Sequence, residues 1–99
     1  MTSIIVESTS AEARAALFSA LGDPNRLRIL DELAGASRCV CELQEVVGVA
    51  PNLLSYHLRV LREAGLVEPH RRGRWIDYEL SADGVEAVRA AIPAGGGRE

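Results

Sequence analysis

Cys39 and Cys41 are the only cysteines of the 99-residue chain, and one residue separates them. Two thiolates at this spacing can chelate one soft ion if the backbone between them is extended or begins a helix. A helix is predicted from about Cys41 to Val47, and its free N–H groups and dipole favour the thiolate form. Because disulfides are rare in cytosolic chains, a structural disulfide is not expected. The remaining interpretations are an ion site, a redox-sensing pair, or two small buried apolar residues.

Basic side chains form a second group with possible chemistry. All of them are arginine, and five lie between residues 51 and 76 together with only two acidic residues, which gives this segment a charge of +3. Since the whole chain carries −3, the remainder carries −6. A basic stripe on an acidic body fits a localised phosphate-binding face, and a solvated arginine cluster is the alternative.

The elements that must position these residues can be read from helical periodicity and capping signals. Helices are predicted over 10–21, from Asp23-Pro24 to Gly35, over 41–47, from Pro51 to Gly65, and over 82–92. The first two helices have the predicted apolar anchors Leu17, Phe18 and Leu21, and Leu27, Ile29, Leu30, Leu33 and Ala34. The next two have Leu43, Val46 and Val47, and Leu54, Leu58 and Leu61 with Leu53 beside them.

The periodicity changes after Gly65. Residues 66–68 and 75–80 are predicted to be two strands, with residues 71–74 as the tip of a hairpin. Two short helices joined by a glycine turn, the second one basic, indicate a helix-turn-helix, and the basic hairpin that follows is a wing. The expected fold is mainly α with a small β-hairpin: a winged helix-turn-helix over residues 1–93 and a flexible tail over 94–99. A helical domain with an incidental hairpin is the alternative.

Four segments resemble the ArsR/SmtB family of metal-responsive repressors. They are residues 20–30 (ALGDPNRLRIL), 39–43 (CVCEL, an arsenic- or cadmium-type thiolate box), 54–67 (LSYHLRVLREAGLV, the recognition helix) and 72–80 (RGRWIDYEL, the wing). The resemblance covers most of residues 20–80 in the family's order. It implies a homodimer formed through the first and last helices, and release from a double-stranded DNA operator when an inducer binds.

The resemblance also implies which residues contact DNA. Asparagine can read adenine, and serine and histidine can bond to base edges or phosphates. A structural hydrogen-bonding role is the alternative for His57, and a solvated loop is the alternative for the wing arginines. The family's usual Ser or Thr before the recognition helix is replaced by Ala50, which removes a capping hydroxyl. The implied DNA-binding residues are Asn52, Ser55, Tyr56, His57 and Arg59 on the helix and Arg71, Arg72 and Arg74 on the wing.

The thiolate box implies arsenite or antimonite as the inducer, held by Cys39 and Cys41; another thiophilic ion remains an alternative. The family's third cysteine is replaced by Gln44, so the third ligand must come from solvent, a small thiol or the partner chain. The last predicted helix has no histidine, so the family's zinc site there is not expected. His57 and His70 have no metal-ligand spacing with each other or with the cysteines.

Further expectations follow from length and patterning. No apolar run is long enough to cross a bilayer and no secretion signal is evident, so a cytoplasmic protein without a membrane partner is expected. A thiol enzyme is disfavoured, because no histidine is placed as a base and the chain is short for a substrate pocket. A winged-helix protein-interaction module is a further alternative. The expected dimer seam is Leu17, Phe18 and Leu21 with Val85, Val88 and Ile92.

Overall fold

The computed structural model describes residues 10–95, and these residues form five α-helices and a three-stranded antiparallel sheet. The predicted winged helix-turn-helix is confirmed. The first nine residues of the predicted domain and the last four of the expected tail lie outside the described residues. The elements in chain order are α1 (Ala11–Leu21), α2 (Pro24–Gly35), β1 (Arg38–Cys39), α3 (Val40–Val47), α4 (Pro51–Glu63), β2 (Val67–Arg72), β3 (Trp75–Leu80) and α5 (Ala82–Ala91).

Helix starts follow the capping signals of the sequence. Ser10 caps α1 by accepting from the N–H of Ala13 at 3.1 Å. Ser81 caps α5 in the same way, through the N–H of Gly84 at 3.1 Å. The N-terminus of α4 lacks a side-chain cap, as expected from Ala50, and a proline begins that helix instead. Short polar side chains at these positions satisfy N–H groups that have no partner within the helix.

The sheet has the strand order β1-β3-β2. Strands β2 and β3 form the predicted hairpin, with Val67 opposite Leu80 and Arg72 opposite Trp75. The predicted tip was too long, because Arg71 and Arg72 belong to β2 and only residues 73–74 make the turn, where Gly73 has φ +64°. Strand β1 was not predicted at all. It has two residues and exists by pairing with β3, some 40 positions away in the chain.

The core is formed where α2, α3 and α4 meet the first residues of β2. The predicted apolar stripes are largely confirmed, but Phe18 is 40%, Leu27 47% and Val46 52% exposed, so these residues do not belong to the core of the chain. Ala34 is exposed as well, and Leu53, predicted beside the stripe of its helix, is 41% exposed. Helix α2 also buries one charged side chain, that of Arg26. Buried apolar residues of this cluster are Ala20, Ile29, Leu33, Leu43, Leu54, Leu58, Leu61, Leu66 and Val67.

Within residues 10–95, no helix has the length and apolar character that a membrane span requires.

Candidate DNA interface and cysteine pair

Helix α4 presents a polar, exposed face. Asn52, Ser55, Tyr56 and Arg59 are all exposed, and their spacing of three or four residues places them on one side of the helix. The Arg59 guanidinium lies 5.7 Å from the centre of the Tyr56 ring, within the range of a cation–π contact. This contact restrains two long side chains on the face that the family resemblance implies for DNA contact.

Two features fix the connection between α3 and α4, a glycine C-cap and a side-chain hydrogen bond. Gly48 ends α3 in a left-handed conformation with φ +74°, which favours glycine. The Gln44 side-chain amide donates to the carbonyl oxygen of Val49. Gln44, which stands where a third cysteine was sought, therefore ties α3 to the connection before α4.

His57 does not belong to the exposed face, and its predicted contact with DNA needs correction. Its exposed fraction is only 4%, because the ring points inward from α4. Its Nδ1 lies 3.0 Å from Nη1 of Arg26. A guanidinium can only donate, so Nδ1 of His57 is the acceptor of this hydrogen bond. The structural role left open by the sequence is the one that this geometry supports.

Arg26 joins three helices at one buried point. Its Nε donates to the carbonyl oxygen of Ala20 at 2.6 Å, and its Nη2 donates to that of Ser19 at 3.3 Å. Both acceptors lie at the C-terminal end of α1, whereas the third partner, His57, lies on α4. The side chain therefore fixes the recognition helix relative to the helix predicted to form the dimer.

Asp23 is the N-cap of α2 and lies beside the contact between Arg26 and His57. Its Oδ1 accepts from the N–H groups of Asn25 at 2.8 Å and Arg26 at 3.2 Å, and Nε2 of His57 is 3.9 Å away. Partial desolvation works to raise the pKa of Asp23, but the two backbone donors and the nearby charges outweigh it and hold the pKa below its ordinary value.

The wing arginines point to different sides of the hairpin. Arg71 lies on the face that looks toward α4, where it lines a cleft of about 270 Å³ with Arg62, Ile76 and Tyr78. An adjoining cleft of about 300 Å³ includes Ser55, Arg59 and Arg62. Arg62 was outside the predicted DNA-binding set, although its place in the basic segment was a usable signal. We call the surface formed by Ser55, Arg59, Arg62 and Arg71 the basic cleft.

Arg72 lies on the opposite face of the hairpin, since neighbouring residues of a strand alternate in direction. Its Nε and Nη2 donate to the two carboxylate oxygens of Asp77 at 2.7 and 3.0 Å. The hydrogen bond from Arg72 lowers the pKa of Asp77 and outweighs its desolvation. The charge of Arg72 is thus matched within the wing. Arg74 lies in the turn and is exposed.

Cys39 and Cys41 are joined by a disulfide, so the expected free thiolates are not found in this structure. The extended backbone of Cys39 turns directly into α3, which places the two Cα atoms 5.4 Å apart, within reach of a disulfide. Bonded to each other, the sulfurs cannot act as thiolate ligands. An ion site would require the reduced pair.

The pair is nevertheless well placed to influence α3. Sγ of Cys39 accepts from the N–H of Glu42 at 3.3 Å, and Oε1 of Glu42 accepts from the N–H of Cys39 at 2.9 Å. This reciprocal capping box makes the sulfur part of the helix terminus. Cys39 is 7% exposed, whereas Cys41 is exposed and lines a cleft of about 390 Å³ with Arg74, Trp75 and Ile76.

Helices α1 and α5 pack together, and only two residues of the predicted dimer seam, Phe18 and Ile92, are exposed there. The other four, Leu17, Leu21, Val85 and Val88, are partly buried, and Leu21 and Val88 pack against the core of the chain. Nη1 of Arg14 on α1 donates to the carbonyl oxygen of Ala91 on α5 at 3.4 Å. Phe18 is 40% exposed and Ile92 is 59% exposed. Leu21, Val85 and Val88 line an apolar cleft of about 250 Å³. An apolar surface of this kind is typical of an interface.

A glycine turn between two helices, an exposed polar second helix and a basic hairpin beside it define the winged helix-turn-helix class of DNA-binding proteins. The model of the bacterial regulatory protein arsR family matches residues 23–69. The similarity to curated relatives extends further along the chain, and the chain belongs to this family.

Two relatives illustrate the similarity. The chain is 38% identical over 81 residues, 82% of its length, to a protein of Synechocystis named transcriptional repressor SmtB homolog, of which it spans 61%. It is 39% identical over 72 residues, 72% of its length, to the arsenical resistance operon repressor of Bacillus subtilis, of which it spans 69%.

A solved structure shows the same architecture. It is the homodimeric winged helix-turn-helix DNA-binding domain of a possible ArsR-family transcriptional regulator from Mycobacterium bovis. The TM-score is 0.70 at 30% identity, and the match covers 81% of this chain and 72% of that one.

Proposed function

We propose that the chain is a transcriptional repressor that binds double-stranded operator DNA as a homodimer. The observation that carries this proposal is the adjacency of the exposed α4 face to the basic cleft, which joins Ser55 and Arg59 to Arg71 of the wing. Both relatives described above are named repressors, and this supports the negative direction of regulation.

The two parts of the surface have different tasks. A helix fits the major groove, where Asn52 and Ser55 have the chemistry to bond to base edges. The arginines of the basic cleft neutralise phosphates, which supplies affinity without sequence preference. Their charge is concentrated on one side of an acidic molecule, so the DNA is also oriented as it approaches.

The inducer proposed first is arsenite or antimonite, bound by the reduced forms of Cys39 and Cys41. An ion held by both thiolates draws the Cys39 sulfur away from the N–H of Glu42 and alters the first turn of α3. Helix α3 is tied through Gln44 to the connection before α4, so the change reaches the recognition helix. The third ligand comes from solvent, a small thiol or the partner chain. The name of the Bacillus subtilis relative supports an arsenical inducer.

The disulfide favours a second candidate, a redox switch at the same cysteines. One thiolate attacks peroxide, the O–O bond breaks, and hydroxide leaves as a sulfenic acid forms. The other thiolate then attacks that sulfur, the S–O bond breaks, and a second hydroxide leaves as the S–S bond forms. The two protons lost when the thiols ionised convert both hydroxides to water. The two thiols are oxidised, the peroxide is reduced, and the capping sulfur of α3 is now constrained by a bond to Cys41.

Operator binding by the reduced chain, followed by fluorescence anisotropy on a DNA site selected from a random pool, separates these candidates. Arsenite, antimonite, cadmium, zinc and peroxide are added in parallel. An ion inducer should weaken binding about 5- to 150-fold. The variants Cys39→Ser and Cys41→Ser should keep binding and lose the response, whereas Ser37→Ala, beside the pair, should respond like the parent.

Three other outcomes of this experiment would change the proposed inducer or the proposed function. Release by peroxide alone assigns the pair to redox sensing. Release of the double serine variant by arsenite places the inducer elsewhere. Failure to select any DNA site would contradict the repressor proposal and favour a protein-interaction module.

A further inference from the structure

The stem of the wing brings together three side chains of metal-ligand type that the DNA interface does not use. Glu68 and His70 are two residues apart on β2, so both point to one face of the sheet. Glu79 on β3 is the register partner of Glu68 and shares that face. One ligand atom from each of the three lies within 4.8 Å of the other two. We call Glu68, His70 and Glu79 the stem cluster.

The charges of the stem cluster favour a cation. Two carboxylates directly opposite each other across a ladder repel, and such pairs destabilise a sheet. The contact that relieves this is between Nε2 of His70 and Oε2 of Glu79, at 3.0 Å. Arg72, on the same face of the hairpin, is bound to Asp77 through both carboxylate oxygens.

The framework around the cluster is suited to hold ligands in place. All three residues are on paired strands rather than on the turn. Oγ of Ser37 donates to Oε1 of Glu79 at 3.4 Å, which orients that carboxylate from outside the cluster. The side chains of His70 and Glu79 are about half exposed, so an ion can reach them from solvent.

We propose that the stem cluster binds a divalent transition-metal ion, with Zn²⁺, Co²⁺ and Ni²⁺ as the class of ligand. Imidazole nitrogen suits these ions, whereas Ca²⁺ and Mg²⁺ prefer sites made of oxygen alone. Such ions form bonds of about 2.0–2.2 Å to imidazole nitrogen and carboxylate oxygen, and the three ligand atoms already lie within 4.8 Å of one another. The ion takes the place of the His70–Glu79 contact, and water completes its coordination.

This site is chemically distinct from the cysteine pair and does not rest on the proposed repressor function. Its donors are nitrogen and oxygen, so Co²⁺ bound there lacks the charge-transfer absorption of a cobalt–thiolate bond. The ion also offsets the two carboxylates of the stem, so it should raise the thermal stability of the wing hairpin.

The test uses the full chain with Cys39→Ser and Cys41→Ser, so that no thiolate competes. Co²⁺ and Zn²⁺ are titrated separately, with visible absorption for cobalt and imidazole NMR signals for zinc. We expect one ion per chain and a selective shift of the His70 ring. The variants His70→Ala and Glu79→Gln should each weaken binding at least about tenfold. Glu45→Gln, at an exposed carboxylate of α3, should bind like the parent.

The cluster is on the surface, so these variants should fold, and circular dichroism in the presence of a chelator checks this. Glu68→Gln is a second way to remove a ligand. Absence of binding by the parent, or binding that survives His70→Ala unchanged, would overturn the proposal.

Discussion

Nη1 of Arg26 donates a hydrogen bond to Nδ1 of His57 at 3.0 Å, and both side chains are buried. This bond connects the start of α2 to the middle of α4. It sets the orientation of the recognition helix from within the core, on the side opposite to the exposed residues. We therefore expect His57 to influence DNA binding through the position of α4 rather than through direct contact.

Replacing His57 with alanine should reduce the free energy of unfolding by about 1–3 kcal/mol, because a buried guanidinium donor loses its partner. Tyr56→Ala, one residue earlier on the exposed face, should change it by less than about 0.5 kcal/mol. Urea denaturation measures both. If Tyr56→Ala destabilises as much as His57→Ala, the assignment of an inward and an outward role is wrong.

Removing Arg62 or Arg71 should weaken DNA binding at low salt and make its salt dependence less steep, by about 0.9 for each phosphate that is no longer neutralised. Arg72→Ala should have a smaller effect, because Asp77 already matches that charge. Anisotropy at several salt concentrations provides the slopes. Arg28→Ala, at an exposed arginine of α2, is the control. A larger effect for Arg72 than for Arg71 would show that DNA lies on the other face of the hairpin.

The pairing of Asp77 with Arg72 should make stability depend on pH. The pKa of Asp77 is lower in the folded chain than its ordinary value of 3.8. The ion pair therefore stabilises the fold fully above the unfolded pKa, and this contribution is lost as pH falls through the lower, folded pKa. Thermal midpoints of the parent and Asp77→Asn should differ near neutral pH and converge in acid.

Dimerisation through α1 and α5 predicts that a charge on the apolar seam produces monomers. Phe18→Glu or Ile92→Glu places a carboxylate in an interface that must exclude water. Sedimentation at micromolar concentration should show twice the chain mass for the parent and a single chain for each variant. Leu27→Glu, at an equally exposed leucine of α2, should remain dimeric. A monomeric parent would contradict the proposed assembly.

The arrangement of helices was predictable because its signals are local. Ser10, Asp23 and Ser81 cap helices through N–H groups two or three residues away, and Gly48 and Gly73 adopt backbone conformations that glycine favours. The exposed face of α4 followed from helical spacing in the same way. Each of these signals depends on residues that lie within about one helical turn of each other in the chain.

Other features required the folded structure, since they depend on residues distant in the chain. Strand β1 exists only through β3, and the stem cluster only through the register of Glu68 with Glu79. Nothing local indicated that α2 would bury Arg26 or that His57 would receive its hydrogen bond. Whether the cysteines meet as a disulfide depends on how the extended Cys39 enters α3. Sequence spacing thus determined which chemical groups each element carries, and tertiary packing decided which of them meet, because contacts between elements are set by geometry that no single segment contains.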